Sequence, residues 1–269
     1  MITLTLKETN PIPLETETIS PDQFLGKGAA EIAKLKASLG NQIGQLGDFF
    51  TINGEGGEEI HIEGDVSRVK HIGERMTQGR IVIHSDVGMH LGARMRGGEI
   101  HVHGNAGDWV GAEMRGGFIH IHGNAGHALG SAYRGSPKGM NRGLIVVDGN
   151  TRNETGSLMR RGLIVVLGDV GDFAGSFMLA GTLLVFGQVG LRPGAGMKRG
   201  TIVAYHPVEL LPTYSFDCRY KPSFLRLTLQ SLRQRGLAIR DEFMSGYYQR
   251  YSGDLTALGK GEILIYDQH

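Results

Sequence analysis

Two series of residues in this chain recur at a spacing that could support chemistry. His84, His103 and His122 stand nineteen residues apart, and Glu63 and Asp148 fall at the two ends of the same series across longer intervals. Imidazoles ended by carboxylates are ligands of the type that hold a divalent metal. If each residue sat on a strand about 4.8 Å from the next, neighbouring rings could share an ion. Such a column offers its ligands in a line, whereas zinc asks for a tetrahedron, so the expectation is a polar outer face and no metal site.

The second series is basic: Arg96, Arg115, Arg142, Arg160, Arg161, Lys198 and Arg199. Stacked in register, these residues form a cationic strip along one edge. That strip suits an extended polyanion such as polyglutamate, or an acidic partner surface. The alternative is an ordinary solvated edge.

No nucleophile is set up beside either series. Ser131, Ser157 and Ser176 lie next to glycine at small-residue positions, and Cys218 has no nearby histidine in sequence other than His206. None of the glycine clusters ends in the Gly-Lys-Ser/Thr of a phosphate loop. No catalytic residue is expected.

The elements that position both series are repeats. Gly79, Gly98 and Gly117 follow one another at nineteen residues, as do Gly143, Gly162, Gly181 and Gly200, and the one longer step absorbs seven extra residues around Arg134 to Met140. Each unit opens with a short strand of period-two alternation. A unit this small cannot bury its own apolar face, so the units must stack. The expected fold is all-β: a right-handed parallel β-helix solenoid with nineteen-residue rungs and small N- and C-terminal caps containing helices.

That geometry predicts columns. Ile60, Ile81, Ile100, Ile119, Ile145, Ile164, Leu183 and Ile202 should point inward, as should a column of seven of the ten methionines, Met76 to Met197. Methionine is read here as flexible filler of a narrow core. Gly73, Gly92, Gly111, Gly130, Gly156, Gly175 and Gly194 mark a corner where positive φ or close approach favours glycine. Asp65, Asp86, Asn105, Asn124, Asn150, Asp169 and Gln188 follow another corner and should hydrogen-bond along the stack.

The expected organisation is an N-terminal cap over 1–56, seven to eight rungs over 57–206, and a C-terminal cap over 207–269. In the first cap, Ser20 and Pro21 should start a helix, and a second helix is expected from Ala29 to Leu39, closed by Gly40. Outward strand positions are polar early, as at His61, His101 and His120, and apolar late, as at Val146, Val165, Leu184 and Val203. An apolar face of that size needs a cover. A helix opened by Pro222 and Ser223, with Phe224, Leu225, Leu229 and Leu232 at helical spacing, can cover part of it, leaving the rest for a partner chain or a second copy. Glu262 to Tyr266 should close the stack as a last edge.

Composition narrows the function classes. A net charge of +1 gives no general case for nucleic acid or a membrane surface, and no apolar run is long enough to span a bilayer. A single cysteine permits no internal disulfide, and the N-terminus lacks the segments of a signal peptide, so a cytoplasmic setting is expected.

Several stretches carry a resemblance to known proteins. The Gly-x-x-Gly-x-x-x-Gly spacing at Gly104, Gly107 and Gly111 is similar to the β-helix domain at the C-terminal end of the glutamate synthase large subunit. ISPDQFLGKGAAEIAKL, GQLGDFFTI and YSGDLTALGKGEILIYDQ, with the repeats between them, resemble the C subunit of formylmethanofuran dehydrogenase and its counterpart in the bacterial formyltransferase/hydrolase complex. The resemblance implies a noncatalytic scaffold, with no cofactor bound by this chain alone and a methanofuran-type coenzyme in the complex. Its implied partners are an amidohydrolase-type hydrolase subunit, a formyltransferase subunit and a molybdopterin-enzyme-like subunit. Together they move formyl groups between tetrahydromethanopterin, methanofuran and formate. The bacterial form is favoured over the tungsten or molybdenum dehydrogenase. A stand-alone β-helix carbohydrate-active enzyme is the remaining alternative, although the carboxylate cluster it needs is not found.

Overall fold

The computed structural model describes residues 1–267; Gln268, which ends the closing motif, lies outside the described residues. Strands outnumber helices, and the helices other than Ser223–Gln234 are short. Its dominant element is one thirteen-stranded sheet. Strands Glu59–Glu63, Arg80–Ile83, Glu99–Val102, Arg115–Ile121, Arg142–Val147, Leu163–Val166, Thr182–Val185 and Arg199–Ala204 lie side by side in chain order and all run parallel. Hydrogen-bonded partners include Ile81 with Ile100, Ile100 with Ile119, Ile119 with Ile145 and Ile145 with Ile164. Residues that the repeat aligns are therefore neighbours in space. The longer interval is absorbed by a loop exposed at Arg134, Pro137 and Lys138, and the register resumes at Met140.

A second parallel ladder runs along another side of the stack through Val66, Val87, Ala106, Ala125, Thr151, Val170 and Val189. Between the two ladders lies a continuous core in which the isoleucine and methionine columns are fully buried. Each methionine reaches past the strand that follows it to the glycine at the start of the strand stacked beyond, and leaves no room there. A Cβ added at Gly98 would stand 2.5 Å from the Met76 methyl, and at Gly111, where φ is +60°, it would stand 2.5 Å from Ile145 Cδ1. Methionine and glycine columns are thus complementary halves of one packing arrangement.

Both ends of the chain return to the sheet. Ile2–Leu6 pairs parallel with Glu59–Glu63 and antiparallel with Phe50–Gly54. At the other end Lys260–Asp267 pairs parallel with Arg199–Ala204, placing Ile263 beside Ile202. This strand is interior, because Tyr247–Gly253 pairs with its far side and Ser215–Tyr220 forms the edge instead.

Two local expectations are corrected. The helix expected from Ala29 to Leu39 stops at Ile32, and Lys36–Leu39 is a strand that pairs antiparallel with Gln42–Gln45, with Gly40 in the turn at φ +60°. Alternating apolar and polar residues in Lys36–Leu39 let it pair, which overrides the helical propensity of the segment. Ser20 does precede a helix with Pro21 at its first position, but that helix spans only Pro21–Phe24 and the serine side chain makes no capping bond.

The late apolar face is covered within the chain. Helix Ser223–Gln234 lays Leu225, Leu229 and Leu232 against Val146, Val165, Leu184 and Val203, and all of these are buried. Phe224 points away and is exposed. Leu237, Ile239, Phe243 and Tyr248 extend the cover over Phe186 and Tyr205. Much of the space expected for a partner or a second copy over this face is filled by the chain's own C-terminal segment, while Leu144, Leu163 and Leu167 stay partly exposed.

Shortening Ile145 to alanine opens a void against Gly111 and its strand neighbours. The expected cost is about 2–5 kcal/mol, read as a lowered denaturation midpoint by circular dichroism. Gly111→Ala should also lower it, because its Cβ has neither room nor a favourable φ.

Candidate functional site

Backbone order along the stack is maintained by side chains at the corners. The backbone N–H of Asn105 donates to Asp86 Oδ1 at 2.7 Å, that of Asn124 to Asn105 Oδ1 at 2.8 Å, and that of Asn150 to Asn124 Oδ1 at 2.8 Å. Asp169 and Gln188 continue the same ladder at 2.7 Å each. The expected hydrogen bonding along the stack is present, while the left-handed backbone belongs to other residues. A parallel ladder through Asp108, Asn153 and Asp172 has the same form: His127 N–H donates to Asp108, Asp172 N–H to Asn153 and Leu191 N–H to Asp172.

The seven basic residues of the candidate site are all exposed, and none forms an ion pair among the described residues. They fall in two adjacent columns rather than one. Arg96, Arg115, Arg160 and Lys198 each follow a methionine and donate their backbone N–H to the methionine carbonyl one repeat earlier, at 2.7–2.8 Å. Asn141 and Leu179 interrupt that column. Arg142, Arg161 and Arg199 occupy the next position along, and Lys260 extends it through its pairing with Arg199. Arg115 borders a cavity of about 160 Å³ lined also by Glu113, Ser136, Lys138 and Asn141. The edge offers uncompensated positive charge over several strand spacings, which is the electrostatic requirement for an extended anion.

Histidines line the early outer face as expected. His61, His84, His103 and His122 stack in sequence with ring centroids 5.2–5.4 Å apart, and His61 Nδ1 lies 3.0 Å from His84 Nε2. His120 comes from the neighbouring outward column to within 4.1 Å of His122, ring centre to ring centre. Burial first, then the like charge of neighbouring imidazoles, holds His103 below the ordinary histidine range, and burial does the same for His101.

A further polar cluster sits on another corner. His71, His90 and Trp109 stand at one repeat position, each with φ +64°. The left-handed conformation is strained for such residues, and the stack sustains it because each N–H donates to a carbonyl one repeat further on. His71 stacks on His90 at 4.6 Å, His90 Nδ1 lies 2.9 Å from the Tyr133 hydroxyl, and Trp109 stacks on Tyr133 at 5.2 Å. Arg94 lies between Glu74 at 3.6 Å and Glu113 at 3.0 Å. The nineteen-residue step between His71 and His90 was legible in the sequence. Tyr133, delivered from the start of the inserted loop, was not.

Burial, helped by the charges of His71 and Lys70 and opposed by Glu74 and Asp108, depresses the His90 imidazole to about 4. An unfolded chain takes up that proton near 6.5, so this group's contribution is intact above that pH and is lost as pH falls toward 4. The wild-type melting temperature should fall across this window, and His90→Phe should flatten the fall. An unchanged slope would show that His90 does not titrate with unfolding.

No protein-family model matches the chain. The C subunit of the tungsten-containing formylmethanofuran dehydrogenase 2 of Methanothermobacter wolfeii is 45% identical over 93 residues, which cover 33% of this chain and 34% of that subunit. Its counterpart in the molybdenum-containing formylmethanofuran dehydrogenase 1 of Methanosarcina barkeri is 42% identical over 88 residues, covering 31% of this chain and 29% of that protein. The matched stretches thus span about a third of these curated relatives. A crystal structure of the formyltransferase/hydrolase complex of Methylorubrum extorquens with methylofuran contains a chain that superposes with a TM-score of 0.92 at 36% identity. That superposition covers 99% of this chain and 100% of that one. Agreement in sequence and in architecture along the full length places the chain in the family formed by the C subunit of formylmethanofuran dehydrogenase and its counterparts in formyltransferase/hydrolase complexes.

Proposed function

We propose that the chain is a noncatalytic scaffold subunit of a one-carbon complex that moves formyl groups between tetrahydromethanopterin, methanofuran and formate. The scaffold is a right-handed parallel β-helix with nineteen-residue rungs over 57–206, capped by 1–56 and 207–269. Its partners are an amidohydrolase-type hydrolase subunit, a formyltransferase subunit and a molybdopterin-enzyme-like subunit, in a cytoplasmic assembly. The observation that carries this reading is the end-to-end match, at 36% identity, to a chain of a formyltransferase/hydrolase complex. That match favours the formyltransferase/hydrolase form. The 45% identity to a tungsten dehydrogenase subunit supports the dehydrogenase as the second reading.

Partner contacts belong on the basic edge and the histidine face, because the late apolar face is already covered. The edge at Arg96, Arg115, Arg142, Arg160, Arg161, Lys198 and Arg199 is the candidate for holding a polyglutamate tail of a methanofuran-type coenzyme. The neighbouring complex was crystallised with methylofuran, which agrees with a coenzyme of this class. Separate exposed ion contacts are each worth about 0.2–1 kcal/mol, so several are needed for useful affinity.

Arg96→Glu, Arg115→Glu and Arg160→Glu together should weaken coenzyme binding to the assembled complex by about tenfold or more. Sizing and mass spectrometry of the purified complex report whether assembly is preserved. Unchanged affinity in an intact complex would remove the coenzyme role from this edge. Turnover by the isolated chain in a formyl-transfer assay would overturn the scaffold reading itself.

A further inference from the structure

The histidine face contains a place where three metal-ligating side chains converge. Strand Arg115–Ile121 alternates its side chains, so His120 and His122, two residues apart, project outward on the same side. Asp148 follows the next strand, with its N–H donated to the Ile121 carbonyl at 2.9 Å, and this sets its carboxylate beside both rings. Oδ1 lies 2.9 Å from His120 Nε2 and Oδ2 lies 2.7 Å from His122 Nδ1. All three ligand atoms fall within 4.8 Å of one another.

We propose that His120, His122 and Asp148 form a binding site for one divalent ion of the zinc class. Two imidazole nitrogens and one carboxylate oxygen make a ligand set for zinc, or for cobalt(II) or nickel(II) of similar softness. Metal–ligand bonds of about 2.0–2.2 Å in a tetrahedron place ligand atoms about 3.3–3.6 Å apart, a spacing that side chains already within 4.8 Å of one another reach by small adjustments. The rings are held in advance. His122 stacks on His103 with centroids 5.2 Å apart and planes 11° apart, and Phe118 flanks His120 at 5.9 Å. The side chains of His120, His122 and Asp148 retain 16%, 38% and 31% exposure, which gives an ion access and leaves a fourth position for water or a partner's ligand.

The objection to a linear column does not apply to this set, because His120 joins from the adjacent column and breaks the line. Among the described residues, this is where the double-histidine face meets a carboxylate from the following strand, and Val146 beside Asp148 already belongs to the apolar face. The other set of this kind among the described residues, Glu17, His71 and Glu74, is less suited. Its Glu74 carboxylate lies 3.6 Å from both Arg75 and Arg94, whose charges oppose a cation.

The test is calorimetry and equilibrium dialysis of zinc chloride against the full chain, purified without a polyhistidine tag. One ion per chain, removed by a chelator, is expected. Asp148→Asn and His122→Ala should each lower the affinity by about a hundredfold, whereas His61→Ala, in the distant part of the face, should leave it unchanged. Cobalt(II) should give four-coordinate visible bands that are lost in Asp148→Asn. Circular dichroism confirms that the variants fold. Absence of saturable one-ion binding, or wild-type affinity in folded Asp148→Asn and His122→Ala, would overturn the proposal. The measurement is made on the chain alone, so its outcome is independent of whether the scaffold reading holds.

Discussion

The structure depends on one constraint: each repeat is too short to satisfy its own backbone and must hand its hydrogen bonds to the repeats on either side. Parallel pairing of Ile100 with Ile119 and of Ile145 with Ile164 satisfies the strands. The Asp and Asn side chains at the corners accept N–H groups where strand pairing lapses. With both devices acting at every level, a residue's neighbour is fixed by the repeat length. Chemical features that recur in sequence become continuous lines on the surface.

Side-chain volume enforces the same register. The methionine methyl of one repeat fills the space that a Cβ on the leading glycine two repeats on would need, so the methionine and glycine columns must keep this register. This explains why glycine abundance here accompanies order. The glycines are the sockets of a close-packed core, and two columns of bulky residues even adopt left-handed backbone where glycine is absent.

The two outer faces follow from what can be left in water. Early repeats expose imidazoles and carboxylates, which hydrate well, and their spacing stacks the rings against one another. Late repeats present valine and leucine on the equivalent positions, and the C-terminal helix removes them from water. Asp148 stands where one regime gives way to the other. The same boundary leaves the basic edge open along the flank of the sheet, where charge has no internal partner.

The repeat columns were legible in sequence because period-two alternation and a fixed interval between glycines are linear properties of the chain. So were the buried isoleucines and methionines, the polar and apolar outer faces, and helix Ser223–Gln234. What required tertiary structure was everything involving displacement between columns or departure from the repeat. Lys36–Leu39 became a strand because its pairing partners stand elsewhere in the chain, and the basic residues separated into two columns because backbone register distinguishes adjacent positions. His120 meets Asp148, and Tyr133 meets His90, through the lateral reach of side chains between neighbouring columns. Spacing along a sequence measures position along a column, while distance between columns is decided only by the tertiary structure.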